Sequence, residues 1–303
     1  MLTHLKSVQA WLAAAGQLPL QVKLLIEGEE EVGSEHLEAY LAEHREKLAC
    51  DCVVISDTAQ FARGMPAITY GLRGIAYYEL HLTGANSDLH SGVFGGAVTN
   101  PANVLHRLLA AITDTQGRIQ LPVFYDQVVE LSQRERNEFR QLPFDEAAFQ
   151  AQLGVTGLTG EAGYSTLERR WARPSFDVHG LWGGYQGEGA KTVLPARAGA
   201  KFSFRLVPDQ DPKQITAGLR ALLEPLVPPG ITWELIDYHG APGIAMPLES
   251  PYLEAAATAM SSSALCRCTS CSSRPCAISA FSITLLLAAN WSLMAFTGGG
   301  CIW

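Results

Sequence analysis

The stretch Ile75-Ala76-Tyr77-Tyr78-Glu79-Leu80-His81-Leu82 alternates strictly. Ala76, Tyr78, Leu80 and Leu82 fall on one face, and Ile75, Tyr77, Glu79 and His81 on the other. A strand with two different faces is typical of an antiparallel sheet. The chain before it reads differently. Cys52-Val53-Val54-Ile55-Ser56 is apolar up to Asp57 at its C-terminal end, and Val22, Leu24 and Ile26 alternate with Gln21, Lys23 and Leu25. Both read as buried strands. A helix over Leu2–Leu18, with Leu5, Val8, Leu12 and Ala15 on one face, is closed by Gly16. Helices alternating with apolar strands indicate a parallel sheet. The change of character near Gly74 marks a domain boundary.

Downstream, Asn100-Pro101 opens a helix with Val104, Leu105, Leu108 and Ile112 inward, proline suiting the first helical position. Asp88-Leu89-His90-Ser91-Gly92 lies in a Gly-rich loop. Gln116 to Pro174 is charged and irregular, as expected of helices and loops on the outside. A strand over Ala200–Val207, a helix over Pro212–Leu226 and a strand over Ile231–Ile236 follow. The order strand, helix, strand, strand, helix, strand is that of a ferredoxin-like split βαβ unit. After His239-Gly240-Ala241-Pro242-Gly243 the chain is expected to rejoin the first domain, with a helix over Pro251–Met260. The expected organisation is therefore an α/β domain over 1–73, an inserted α+β lid over 74–238, a return over 239–260 and a separate tail over 261–303.

The formal charge is -8 over 303 residues, which argues against a nucleic-acid surface or a polybasic membrane anchor. The longest apolar run near the C-terminus, Ile283–Ala289, is too short to span a bilayer. The expected location is cytoplasmic. Five of the seven Cys (Cys266, Cys268, Cys271, Cys276, Cys301) crowd the tail, but C-x-C-x-x-C without a nearby His is not a standard zinc site. No Asp or Glu follows Glu254 and no His follows His239. A tail in which acids vanish and Cys and Ser surge, with no helical or strand period, reads as a frame-shifted translation.

Ile26-Glu27-Gly28-Glu29-Glu30-Glu31-Val32-Gly33-Ser34 places four Glu between a strand end and a helix that Ser34 is positioned to cap, with Leu37, Tyr40, Leu41 and Leu48 on its apolar face. Open α/β sheets bind ligands at such strand ends. Packed carboxylates raise one another's pKa, and a divalent cation relieves the crowding. The alternative is a solvated acidic helix start favoured by the helix dipole. Asp57 at the next strand end reads either as a second ligand or as a turn residue.

Several segments together resemble the dinuclear zinc peptidases of the carnosine dipeptidase and aminoacylase family, dipeptidase branch. They are IEGEEEVGS, VISD ending at Asp57, ITYGLRG over Ile68–Gly74, DLHSG over Asp88–Gly92, GAKTVLP over Gly189–Pro195 and RLVP over Arg205–Pro208. They occur in the family's order from about Leu5 to Met260. The resemblance implies a zinc-binding α/β domain interrupted by a ferredoxin-like lid that also forms a homodimer. It implies Glu30 as general base, Glu31 as ligand of one zinc and Asp57 as ligand of the other; manganese or cobalt suits the same ligands. It further implies His90 as the donor to the oxyanion in the partner subunit's site, Thr192 as a substrate contact and Arg205 as the grip on the substrate's terminal carboxylate. These residue types suit the chemistry: a carboxylate takes a proton from activated water, an imidazole stabilises developing charge, and a guanidinium fixes a carboxylate through two bonds.

The sequence also departs from this pattern. The family's earlier His-x-Asp motif and bridging Asp are not found, nor its later Gly-Gly-Ser loop and last zinc-binding His. The expectation is a chain shortened at its N-terminus and altered at its C-terminus. Hydrolysis of a dipeptide beside its free carboxylate would then be impaired or lost. A non-catalytic dimerisation or amino-acid-binding module and an N-acyl-amino-acid deacylase are the alternatives.

Overall fold

In the computed structural model the described residues are 2–32, 34–55, 60–62, 65, 67–265 and 283–287; for 261–265 and 283–287 the backbone alone is described. They divide into two compact units, residues 2–53 with Leu287 and the remainder.

The larger unit is built on four antiparallel strands and two helices: β1 (Gly74–Thr83), α1 (Pro101–Ala110), β2 (Ser175–Gly183), β3 (Arg197–Leu206), α2 (Pro212–Leu223) and β4 (Thr232–Ala241). The sheet order is β2-β3-β1-β4. With one helix after the first strand and one after the third, this is the ferredoxin-like arrangement read from the sequence. The alternation of β1 is realised: Ala76, Tyr78, Leu80 and Leu82 are at most 1% exposed. Beside them Ala200, Phe202, Phe204 and Leu206 of β3 are 0% exposed. Val104, Leu105 and Leu108 of α1 and Ile215, Leu219 and Leu223 of α2 complete this core. Each large side chain so buried contributes roughly 1.5–3 kcal/mol, which makes the sheet–helix layer the stable centre of the unit.

Both helices begin where the sequence asks. The Asn100 side chain accepts the Ala102 N–H at 2.9 Å and the Asp211 side chain accepts that of Lys213 at 2.9 Å, with Pro101 and Pro212 just inside. Two boundaries differ from expectation. α2 ends at Leu223 and passes into a tight turn over Glu224–Leu226; Pro225 has no N–H to continue the helical ladder. β4 runs on to Ala241, because His239, Gly240 and Ala241 still pair with Tyr77, Ala76 and Ile75. An irregularity between Tyr77 and Tyr78 shifts the register by one, Tyr78 pairing with Asp237 and Tyr77 with His239.

The segment from 116 to 174 holds three short helices, Gln133–Gln141, Glu146–Leu153 and Thr166–Trp171. Ser132 with Glu135 and Ser165 with Glu168 form capping boxes on the first and third. The segment is held by Arg173, whose side chain is 1% exposed and donates to both Glu161 oxygens at 2.8 Å and to Glu130 at 3.2 Å. Its guanidinium lies 4.2 Å over the Tyr164 ring.

Beyond the lid, Ile244–Ala245 pairs with Gly71–Leu72, and a helix runs over Pro251–Leu265. Within the stretch expected to have no regular period, a strand over Ile283–Leu287 pairs in parallel with Ile68–Thr69. The five tail Cys lie outside the described residues.

In the smaller unit the first helix spans Leu2–Ala15, followed by Gly16 at φ 72°. The strand expected over Val22–Ile26 does not form. Val22, Leu24 and Ile26 are 42%, 50% and 65% exposed, since no described residue pairs with this backbone and an isolated strand cannot bury its apolar face. The helix expected from Ser34 to Leu48 is instead two pieces, Leu37–Glu43 and Arg45–Leu48, with no buried residue in either. Ser34 is not its cap. It sits at φ 52°, 8% exposed, and the cap position falls to His36, which makes no side-chain capping bond.

Candidate functional site

In the acidic loop, Glu30–Val32 forms one tight turn and both Glu30 and Glu31 are exposed. Glu29 is turned back, accepting from His36 Nδ1 at 2.9 Å and from the His36 backbone N–H at 3.3 Å. The bond from His36 holds the Glu29 carboxyl below the usual carboxylate range, and the same bond raises the His36 imidazole. The expected crowding of four carboxylates at a buried strand end is therefore not what forms: there is no strand end, and one Glu is paired with a histidine. Asp57 lies outside the described residues.

The lid residues are better defined. The expected loop around His90 is partly regular: Leu89 and His90 pair with Leu194 and Val193 in a two-stranded antiparallel ribbon, and Ser91–Phe94 forms one helical turn. Thr192 precedes Val193, so the ribbon brings its hydroxyl to 3.2 Å from His90 Nε2 across 102 residues of chain. The ribbon is tied to the sheet. Asp88 accepts the Ala196 N–H at 2.8 Å, and Gly84 donates to the Ala196 carbonyl at 2.9 Å. Sequence reasoning gave Asp88 and Gly92 no role; Gly92 donates its N–H to His90 Nδ1 at 3.0 Å. Their signal was present in the spacing Asp-x-His-x-Gly, where each residue acts on the chain near His90.

Arg205 lies in β3, opposite Ile75 on one side and Ser175 on the other. His90 is attached beyond the other end of the same ladder, where Thr83 pairs with Arg197. Eight residues of strand separate Arg197 from Arg205, about 26 Å at ~3.3 Å per residue. The structure thus brings His90 and Thr192 together and holds Arg205 at the opposite end of the sheet. Arg73 stands near Arg205: its guanidinium is pushed down to about 10, by burial first and then by the Arg205 charge, and donates to the Arg173 carbonyl at 3.5 Å.

No group of three His, Cys, Asp or Glu side chains converges among the described residues. A closed zinc centre needs three or four such donors, so the described residues do not by themselves fit one.

The peptidase dimerisation domain of the M20 family matches residues 70–231, and the chain belongs to that family, in its carnosine dipeptidase and Cys-Gly dipeptidase branch. Human Beta-Ala-His dipeptidase is 35% identical over 225 residues, 72% of this chain and 44% of that protein. The Cys-Gly metallodipeptidase dug1 of Schizosaccharomyces pombe is 36% identical over 199 residues, 65% of this chain and 42% of that protein. Among solved structures, the M20 family metallo-carboxypeptidase Sso-CP2 of Sulfolobus solfataricus superposes with a TM-score of 0.73 at 32% identity, over 85% of this chain and 57% of that one. Human carnosine dipeptidase 1 does so with a TM-score of 0.68 at 30% identity, over 85% and 56%. The chain spans less than half the length of those two curated relatives. Metallodipeptidase relatives imply a metal cofactor for the family.

Proposed function

We propose that the chain is a dipeptidase-type hydrolase subunit, acting on a peptide bond next to a free carboxylate, whose lid serves two sites in a homodimer. The observation that carries this reading is the placement of His90 and Arg205 at opposite ends of one sheet. A dipeptide is only about 7 Å long, so one substrate does not span a ladder of about 26 Å. Each lid therefore grips a carboxylate at one end with Arg205 and offers His90 with Thr192 at the other to the partner subunit's substrate. Glu30 is the proposed base, Glu31 and Asp57 the proposed ligands of zinc, and manganese or cobalt would suit the same oxygen donors. Location in the cytoplasm is part of the same proposal.

A second reading, a dimerisation or amino-acid-binding module without turnover, is favoured by the absence of three converging donors among the described residues. Zinc titration with dipeptide hydrolysis separates the two. Stoichiometric zinc with turnover abolished in Glu30→Gln supports the hydrolase; weak zinc binding and no turnover support the module. Where turnover exists, mixing inactive His90→Ala and Arg205→Ala chains should restore part of it, because the mixed dimer holds one intact composite site. No restoration would refute the two-site arrangement.

A further inference from the structure

The surroundings of His90 fix more than its position. Gly92 N–H points at His90 Nδ1 from 3.0 Å. A backbone amide only donates, so Nδ1 must present its lone pair there, and a neutral imidazole then carries its single proton on Nε2. Nε2 lies 3.2 Å from Thr192 Oγ1, so the ring donates and the hydroxyl accepts. A Cβ at residue 92 would stand 2.8 Å from His90 Cε1 and 3.1 Å from Nδ1, so a side chain there displaces the ring. On the other side of the ring, Thr192 is held by its own backbone, its carbonyl accepting the Ser91 N–H at 3.0 Å while Val193 pairs with His90.

We propose that Gly92 and Thr192 together lock His90 as the Nε2–H tautomer, making Thr192 a positioning residue and His90 a hydrogen-bond donor through Nε2. The inference rests on the proposed role of His90 in the partner's site and specifies how that role is performed. The bond to a neutral hydroxyl is long, whereas a bond to an oxyanion is charge-assisted and stronger. The Nε2–H is therefore kept directed and exchangeable: Thr192 holds it until developing negative charge on a substrate oxygen takes it over. No proton changes owner in this exchange.

The test is nitrogen-15 NMR of the full chain labelled at His and Gly, at a pH where imidazoles are neutral, and it reads the ring whether or not the chain turns over dipeptide. The expected result is an unprotonated Nδ1, a protonated Nε2 and a coupling through the hydrogen bond between the Gly92 and His90 Nδ1 nitrogens. Thr192→Val should speed exchange of the Nε2 proton roughly tenfold, the worth of one ordinary hydrogen bond, while Thr192→Ser restores the slow rate. Gly92→Ala should abolish the coupling. A protonated Nδ1, or no coupling in the unaltered chain, overturns the tautomer lock; equal exchange in the Val and Ser variants overturns the role of Thr192. If the ring behaves as expected and hydrolysis is absent, the lock stands and the hydrolase reading alone falls.

Discussion

Replacing Arg173 with Met should be among the most damaging single changes in the larger unit. The Arg173 side chain is 1% exposed and the Glu161 side chain 5%, with two bonds of 2.8 Å between them. Removing the cation leaves a buried carboxylate, and breaking such a pair costs about 3–5 kcal/mol. Arg118, at 3.1 Å from the same carboxylate and half exposed, still offers partial neutralisation, so the lower end, about 3 kcal/mol, is the expected loss. Met retains length and apolar contact with the Tyr164 ring, which isolates the charge from the packing. The double change Arg173→Met with Glu161→Leu should cost less than Arg173→Met alone, since no charge is then stranded. Urea unfolding of the full chain, followed by tryptophan fluorescence that includes Trp171 two residues away, gives both numbers. A loss under about 1 kcal/mol for Arg173→Met, or a double change that costs the sum of the two singles, would refute the view that this pair is buried and mutually dependent.

Phe202 is 0% exposed and packs against Tyr78, Phe176 and Phe204, so Phe202→Ala should cost about 3–5 kcal/mol, read as a lowered urea midpoint at unchanged slope. Glu79 is held below the usual carboxylate range first by the hydrogen bond from Tyr238, then by Lys201. A depressed carboxylate adds stability above its unfolded pKa and loses it as pH falls through the folded value; the melting temperature of the unaltered chain should therefore exceed that of Tyr238→Phe at pH 7, with the gap closing toward pH 3. The segment 70–241, expressed alone, should unfold cooperatively and form a dimer by light scattering, because its core in β1, β3, α1 and α2 is internally complete; a molten monomer would contradict that.

The lid was legible because its signals are local and agree with one another. Alternation in β1 and the proline starts of α1 and α2 each dictate structure within a few residues. The arrangement of the four strands then follows from burying one apolar face under two amphipathic helices. What could not be read was decided by contacts distant in sequence. Leu89 and His90 carry no strand signal of their own; they become a ribbon because Val193 and Leu194 lie beside them. Arg173 reads as an ordinary charged residue until Glu161, Glu130 and Tyr164 surround it. The final residues of β4 look like a Gly-rich loop, His239-Gly240-Ala241, yet the ladder to β1 continues through them.

The two apolar alternations in this chain show what such a pattern does and does not specify. Val22-Lys23-Leu24-Leu25-Ile26 and Ala76 to Leu82 both place apolar residues at every second position, and a period of two requires only that one face prefer burial. For β1 the preference is met: two neighbouring strands accept its backbone and two helices cover its face. Over 21–26 no described residue supplies a ladder, so the same preference leaves Leu24 and Ile26 half or more exposed. The acidic turn after it inherits the consequence. Glu30 and Glu31 have no strand end to hold them over a crevice, and the electrostatic conflict among the carboxylates is eased locally, by His36 on Glu29. Metal-site chemistry read from IEGEEEVGS thus depends on a sheet to seat it, whereas the hydrogen bonds that orient His90 are complete in the ribbon that carries it.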